Sequence, residues 1–340
     1  MGVTTITRRV TWRLSVSPEV LTEYAGTRLR AYYTDPEVMF RTQERARERF
    51  LELFGVEVTR PHVAVPAYIG AAALGAHIYF PDDDSPMLAD QGRVLTDDEA
   101  VAGLTPADPA ADPNVERMLE VRAVLEARSG GRVPLSAGQE GPVTTAMLLR
   151  GQQFLEDLYR APELARHLLE VVTDTYLAYV RHVSALNGGG GGTVGIADDF
   201  AGLISPAMWP EFVVPYWERI FTELGPGRRV VHSELLHVEH LAFLEPLRVD
   251  HFDPGADQYL TGPLIRQHTS IPFTRYLLPV DDLLLITPEG VRRRYQEEVE
   301  GGASHIDADV SCRGIPAENI RAFIAIAREY ESFQETDDDH

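Results

Sequence analysis

An α/β fold of the (β/α)8-barrel type is predicted by three features of the sequence. Short apolar runs alternate with helical segments over residues 61–330, which is the pattern of a parallel sheet with helical cover. Seven or eight such strands suit a closed barrel better than an open sheet. Polar residues recur just after the predicted strands, where barrel enzymes place their sites. We expect this barrel to follow a helical extension over residues 1–60 and to precede an acidic tail over residues 331–340.

The predicted extension contains one well-marked helix. Asp35 supplies a cap, Pro36 occupies the first turn and Glu37 lies near the positive end of the helix dipole. Apolar residues then recur at a roughly helical period. Gly55 ends the pattern, as glycine often does after a helix. These signals predict a helix before the first core strand.

The barrel elements are predicted from hydrophobic pattern and from turn residues. Strands are expected at residues 63–68, 78–80, 133–137, 193–197, 229–232, 249–253, 273–277 and 303–310. Helices are expected at residues 114–129, 144–150, 161–186 and 205–224, after the strand at 229–232 as far as 247, and from 287 and 316 onward. Residues 85–115 are rich in Pro, Asp and Ala, which predicts an irregular segment.

Composition limits the classes of function. The chain has 340 residues, with 31 Lys and Arg against 52 Asp and Glu, for a formal charge of −21. This balance is evidence against nucleic-acid or anionic-membrane binding, which needs a basic face. A single cysteine excludes intrachain disulfides and fits a reducing compartment. Residues 1–20 contain no long apolar run, and no membrane span is visible, so we expect a cytoplasmic protein.

The stretch from Arg229 to His237 carries the strongest chemical signal. An apolar run ends there in His232 and Glu234, and the lone thiol, Cys312, follows the last predicted strand. These three residues could form a metal site with one open position, and His237 is an alternative ligand. The competing interpretation is a hydrogen-bonded histidine, a surface glutamate and an inert buried thiol.

Five other polar residues follow predicted strands and are candidates for substrate contact. Asp199 is expected to orient substrate or act as a general base, and Asp198 to bind substrate, although one of the two could cap a helix. Tyr68 is a candidate catalytic residue or a core residue. Gln139 is a possible substrate contact. Arg275 is expected either to bind an anionic substrate group or to form a surface salt bridge.

Three further residues receive other expectations. Asp253 precedes Pro254 and Gly255, which predicts a turn role, with support of a metal ligand as the alternative. His240 and His251 rank below His237 as possible ligands.

Four motifs resemble the uroporphyrinogen decarboxylase-like superfamily, and the resemblance covers residues 30–330. They lie at residues 35–39, 141–144, 198–209 and 315–319. The resemblance implies a (β/α)8 barrel with an N-terminal helical extension, and it suggests a homodimer. True uroporphyrinogen decarboxylases carry an N-terminal arginine-containing motif that cradles the carboxylates of the porphyrinogen. No such motif lies near Arg13, so ordinary porphyrinogen decarboxylation is not expected.

The sequence is more similar to the second branch of this superfamily, the zinc-dependent methyltransferases that move a methyl group from a methylcobamide protein to coenzyme M. Those proteins have His-x-Cys after one late strand and a single cysteine after the last. His232 and Cys312 match this pattern, whereas Glu234 stands where the first cysteine is expected. The resemblance implies zinc at these three residues. Zinc accepts a carboxylate oxygen, but an oxygen donor is harder than a thiolate, which puts thiol alkylation in doubt.

Three functions remain open. In a zinc-dependent alkyl transferase, the metal would bind the substrate's thiol and lower its pKa, so that the thiolate attacks a methyl carbon. The chain has no corrinoid-binding motif, so a corrinoid methyl donor would be a separate protein. The alternatives are a decarboxylase or lyase acting on a small carboxylic acid, and a barrel that binds a ligand without chemistry.

Overall fold

The structure is a computed structural model that describes residues 9–66, 68–138, 140–189, 192–257 and 259–332. The strands in these residues are β1 Thr11–Val16, β2 Ile78–Tyr79, β3 Met87–Leu88, β4 Thr193–Ala197, β5 Arg228–His232, β6 His251–Asp253, β7 Thr274–Leu277 and β8 His305–Val310. The α-helices are α1 Pro18–Ala25, α2 Leu29–Thr34, α3 Pro36–Phe54, α4 Ile69–Ala73, α5 Asp98–Ala102, α6 Pro113–Ser129, α7 Pro142–Arg150, α8 Gln152–Arg160, α9 Pro162–Leu186, α10 Trp209–Phe212, α11 Val214–Glu223, α12 Gly262–His268, α13 Pro288–Glu300 and α14 Ala317–Glu331. Short 3-10 helices lie at Pro109–Ala111, Asp199–Leu203, Pro206–Met208 and Val238–Phe243, and a π-helical turn at Pro279–Leu284.

Six strands run parallel, as the alternation of strands and helices predicts. β4, β5 and β6 form one sheet, and β7, β8 and β1 form another. A single bridge between Phe252 and Phe273 joins the two sheets at β6 and β7. The order is therefore β4-β5-β6-β7-β8-β1, with β2 and β3 forming a separate antiparallel pair. This is an α/β arc of parallel strands.

The two strands predicted at residues 63–68 and 133–137 are not regular strands where the structure describes them. Pro66 and Pro134 each lack the N–H that a central strand donates. The side chain of Asn187 takes the place of a neighbouring strand: it accepts from the Leu135 amide at 3.0 Å and donates to the Leu135 carbonyl at 2.9 Å. The backbone groups of Leu135 are thus satisfied by a side chain.

The predicted helical extension needs a correction, because residues 11–16 form β1. This strand pairs with β8 along its whole length and so belongs to the sheet. Trp12 packs edge-on against Phe323 of α14, with ring centroids 5.8 Å apart. The extension is helical only after β1, where α3 begins at the predicted cap: the Asp35 carboxylate accepts from the amides of Glu37 and Val38.

Other predicted helices are confirmed or divided. α6 and α9 lie where they were expected. The single helix predicted over residues 205–224 is instead a 3-10 turn, α10 and α11. Val213, with φ −127°, separates the two helices, and Pro215 occupies the first turn of α11. The helix predicted after β5 is only the 3-10 segment Val238–Phe243.

The parallel strands bury an apolar face against the helices. Val231, Phe252, Leu277, Ile306 and Ala308 are fully buried on this face. Alternate residues of a strand point to opposite faces, so their neighbours line the inside of the arc. No helix among the described residues is long and apolar enough to span a membrane.

The inside of the arc is polar, unlike the Val, Ile and Leu filling usual in barrels. Hydrogen bonds and ion pairs join its residues across neighbouring strands. These residues are Thr11, Arg13, Ser15, His232, His251, Asp253, Thr274, Tyr276, His305 and Asp307. The concave face therefore presents side chains that can form hydrogen bonds and can take up or release protons.

Candidate functional site

His232 lies between two carboxylates at the carboxyl ends of β4, β5 and β6. Its Nδ1 is 3.1 Å from Oδ2 of Asp253, and its Nε2 is 3.4 Å from Oδ1 of Asp199. The strand register explains the arrangement. His232 is paired with Ala197 on one side and with Asp253 on the other, and Asp199 follows Ala197 by two residues. The three groups meet because parallel strands end at a common edge.

Asp253 orients and charges this imidazole. The carboxylate also accepts from the Tyr276 hydroxyl at 3.0 Å and from the Gly255 amide at 3.0 Å. Burial by itself raises the pKa of Asp253, but these donors and His232 outweigh burial and lower it. Burial likewise lowers the pKa of His232, but Asp253, with Asp199 and Glu234, raises it to about 9. At neutral pH the pair is an imidazolium and a carboxylate.

Glu140 adds a second proton carrier, which the sequence analysis did not single out. Its Oε2 is buried and has no hydrogen-bond partner in the part of the chain that the structure describes. Burial, then the charges of Asp199 and Asp198, raise the pKa of Glu140 to about 8. A carboxylic acid that stays neutral near pH 7 is typical of a general acid. The available signal was its position after the segment at 133–137.

Tyr68 lies close enough to Glu140 to interact with it electrostatically. It is half-buried at the start of α4. Burial, then the charge of Glu140, raise the pKa of the Tyr68 hydroxyl. The Tyr68 hydroxyl is therefore neutral at pH 7 and lies near Glu140.

Asp198 has a structural position, which corrects its predicted role in substrate binding. The side chain is fully buried. It accepts from the amides of Val143 at 3.3 Å and Thr144 at 2.7 Å, and from Trp217 Nε1 at 2.8 Å. Burial raises its pKa to about 6 despite these donors. Asp198 thus ties the start of α7 to the end of β4.

Close packing around Asp198 also explains a glycine of one of the family-like motifs. A Cβ added to Gly141 would lie 2.5 Å from the Cβ of Asp198. The Gly141 amide donates to the carbonyl of Ala197 at 2.5 Å. Only glycine permits this approach of the turn before α7 to the end of β4.

The structure does not bring His232, Glu234 and Cys312 together as a metal site. Glu234 accepts from the Ala256 amide through Oε1 at 3.0 Å. The Cys312 sulfur lies 3.5 Å from the Pro279 carbonyl oxygen. Among the described residues, no group of three or more His, Cys, Asp or Glu side chains is placed to hold a metal ion. Both ring nitrogens of His232 already face carboxylates, so the predicted donor set does not fit zinc here.

Cys312 lines a cavity to which His232 does not contribute. That cavity has a volume of about 350 Å³ and is lined by Glu23, Tyr24 and Arg49 of the N-terminal helices. Burial, then the charge of Asp309, raise the pKa of the thiol. The sulfur is therefore a neutral thiol at neutral pH.

The remaining predicted residues lie away from this cluster. Arg275 points outward, where it pairs with Glu298 at 2.9 Å and donates to the Leu260 carbonyl at 2.8 Å. This structural pairing corrects its predicted anion-binding role. The His237 ring packs on Tyr259, with centroids 4.6 Å apart. Gln139 lies outside the described residues.

Comparison with known proteins confirms the resemblance at the level of the family. A model of the family "Uroporphyrinogen decarboxylase (URO-D)" matches residues 7–330. Uroporphyrinogen decarboxylase of Xanthomonas campestris pv. campestris (strain B100) is 27% identical over 238 residues, which cover 65% of this chain and 62% of that protein. The enzyme of Syntrophotalea carbinolica is 27% identical over 236 residues, covering 67% and 65%. The chain thus matches less than two thirds of these relatives' length.

One solved structure shares the fold over nearly the whole chain. A methyltransferase from Methanosarcina mazei superimposes with a TM-score of 0.66 and 17% sequence identity, covering 97% of this chain and 96% of that one. At this identity the similarity concerns the fold alone. With a family model matched over residues 7–330, the chain belongs to the uroporphyrinogen decarboxylase (URO-D) family.

Proposed function

We propose that this chain is an enzyme that uses acid–base chemistry to decarboxylate a small carboxylic acid, or to carry out a related lyase step. The observation that carries the proposal is the placement of His232 between Asp199 and Asp253, with the half-buried Glu140 close enough to interact with His232 electrostatically. The raised pKa values of His232 and Glu140 keep both protonated at neutral pH. Enzymes separate the pKa values of neighbouring acids and bases in this way to assign their roles.

Decarboxylation needs a group that stabilises the negative charge left on the substrate and an acid that donates a proton to it. When the substrate loses CO₂, the electron pair of the broken C–C bond remains on the substrate. The His232 imidazolium, held by Asp253, is positioned to stabilise that negative charge. Glu140 then donates its proton to the carbon and is reprotonated from solvent. Asp199 keeps the imidazole charged, and Tyr68 is a neutral hydroxyl available for hydrogen bonding.

Zinc-dependent methyl transfer to a thiol is the second candidate. It is favoured by the order of His232, Glu234 and Cys312, which is similar to the ligand order of the methyltransferase branch. A separate corrinoid protein would supply the methyl group. The donor set does not fit zinc as these side chains are placed, so no step is derived through a metal. Elemental analysis of the purified protein tests this prediction directly.

We also infer a closed barrel. The parallel arc, the family membership and the shared fold support this inference. Residues 63–66 and 132–138 would complete the ring between β1 and β4. Hydrogen exchange tests the inference, because amides of paired strands exchange far more slowly than those of open segments.

The decarboxylase proposal is tested by CO₂ release from a panel of 3-oxo and aromatic carboxylic acids. We expect turnover of at least one acid, with a loss of about 10²- to 10⁴-fold for His232→Gln and for Glu140→Gln. The matched control is His237→Gln, which removes an imidazole five residues away and should retain turnover. Unchanged turnover in the first two variants would overturn the proposal. Stoichiometric zinc that is lost in Cys312→Ser, without CO₂ release, would favour the second candidate.

A further inference from the structure

A second cavity lies at the amino ends of the parallel strands, opposite the edge that carries His232. It has a volume of about 450 Å³, within the range of small-molecule sites. Its lining includes residues from β1, β5, β6, β7 and β8. The groups used below are Thr11, Arg13, Arg228, His251, Thr274 and His305.

The two carboxylates near this cavity each have a cationic partner. Asp307 is fully buried and accepts from Nε of Arg13 at 2.7 Å. It also accepts from the Ser15 hydroxyl at 2.8 Å. Asp253, which lines the cavity, pairs with His232. Each of these two acids therefore already has a cationic partner other than Arg228.

Arg228 is the cation that remains. It is the first residue of β5, its side chain is exposed, and it lines the cavity. Within the described residues, its guanidinium makes no hydrogen bond or ion pair. Its positive charge lowers the pKa values of His251 and His305. The cavity thus contains one guanidinium that has no partner among the described residues and that acts on two imidazoles.

The two imidazoles are neutral, and each contacts a threonine hydroxyl. Nε2 of His251 lies 2.8 Å from the Thr274 hydroxyl, and Nδ1 of His305 lies 2.8 Å from the Thr11 hydroxyl. The Thr274 hydroxyl can donate to Nε2 of His251, which leaves the His251 proton on Nδ1. The Thr11 hydroxyl also faces the Ser304 carbonyl, at 3.3 Å, so its one proton is shared between that carbonyl and His305. Burial, then the charge of Arg228, lower the pKa of His251 to about 4. Burial also lowers the pKa of His305.

We propose that this cavity binds a small oxyanion, either a phosphate or the phosphate-like end of a larger metabolite. The Arg228 guanidinium would supply the charge and a planar pair of donors. The free N–H group of His251 would complete the coordination, with His305 and Arg13 at the wall. The proposal is independent of the reaction at His232, because binding alone is predicted.

Calorimetry with inorganic phosphate tests this site on the full chain. We expect saturable binding by the unmodified protein and at least a tenfold weaker affinity for Arg228→Met. Arg228→Lys keeps the charge but loses the planar fork, so its affinity should be intermediate. The control is Arg45→Gln, which removes an exposed arginine of α3 without a partner among the described residues and should bind phosphate like the unmodified protein.

A second readout separates binding from any loss of folding. Bound phosphate should raise the pKa of His251, which an NMR titration of the histidine signals reports. Glycerol phosphate distinguishes the source of the anion: tighter binding than inorganic phosphate indicates a larger ligand, and equal binding indicates the free ion. The proposal is overturned if neither compound binds, or if Arg228→Met binds as well as the unmodified protein. Because turnover is not measured, failure here leaves the proposed decarboxylation standing.

Discussion

The two ends of the polar interior hold the same residue type in opposite charge states. At the carboxyl edge, His232 has a pKa raised to about 9. At the amino edge, His251 has a pKa lowered to about 4. Burial lowers both values, so desolvation does not account for the difference. Asp253 and Asp199 face the first ring, whereas Arg228 faces the second.

This comparison shows that the sign of neighbouring charge assigns the role of each imidazole. One edge of the interior holds a proton ready for transfer, and the other holds neutral donors ready for an anion. Position along the strand decides which neighbours are present, since β5 alone contributes Arg228 at one end and His232 at the other. The following predictions test the comparison, beginning with the largest effect.

Truncation of the adjacent carboxylates Asp198 and Asp199 should reduce the free energy of unfolding by different amounts. Asp198→Ala leaves three buried donors unsatisfied, so we expect a loss of about 3 kcal/mol in the free energy of unfolding. Asp199→Ala removes a partly exposed group and should cost less than about 1 kcal/mol. Urea denaturation measures both variants. Equal losses would mean that Asp199 is also structural.

Stability should fall as pH rises, because the folded state holds extra protons at the carboxyl edge. The pKa of His232 rises on folding from 6.5 to about 9, so its contribution is complete below pH 6.5 and is lost on passing through pH 9. His232→Gln should flatten this dependence by about 1–2 kcal/mol, a value reduced from the full shift because the ring is partly exposed. Thermal unfolding from pH 6 to 10 measures the effect.

Glu140 contributes to the same dependence in the same direction. Its pKa rises on folding from 4.5 to about 8, so ionisation of the folded protein opposes stability as pH increases. Glu140→Gln should therefore flatten the curve between these two values, and the loss of stability near pH 9 that His232 causes should remain. A pH profile identical to that of the unmodified protein would show that Glu140 is more solvated than the structure indicates.

Asp253→Asn should bring the imidazole of His232 back toward its ordinary behaviour. The substitution keeps the shape of the side chain but removes the charge that holds the proton. We expect the pKa of His232 to fall from about 9 toward 6.5, by roughly 1 to 2 kcal/mol of lost interaction. NMR titration of the ring signals measures the shift. An unchanged pKa would show that Asp199, rather than Asp253, raises the pKa of His232.

The smallest effect is expected at the amino edge. Arg228→Met removes a side chain without a partner among the described residues, so stability should change by less than about 0.5 kcal/mol. The pKa of His251 should rise above 4, since one of the causes that lower it is gone. A loss of several kcal/mol would show that Arg228 is paired in solution and would weaken the contrast between the two ends.

Local pattern was sufficient for most elements, and it was insufficient for β1. α9 was predictable because Pro162 marks its start and the apolar period continues to Leu186. β1 was predicted as helix because its alternation spans only six residues, Thr11–Val16. Its partner β8 lies almost 300 residues later, and Arg13 contacts Asp307 at a sequence separation of 294. Such pairing leaves no local signal.

The candidate site shows the same division. His232 at the end of a strand followed from the apolar run before it, and the family followed from short motifs. The partners of His232 did not follow, because Asp253 precedes a Pro-Gly turn and was therefore interpreted as a turn residue. Glu140 was missed because a buried, unpaired carboxyl group is recognisable only from its surroundings.

The sequence by itself determined the alternation of strands and helices, the family, and the presence of an imidazole at the carboxyl end of β5. The tertiary structure decided which charges face that imidazole, that the lone thiol lies in another cavity, and that a cation remains unpaired at the opposite end. Hydrophobic periodicity is a local property of the chain, whereas a pKa or an ion pair depends on groups that only folding brings within a few ångströms.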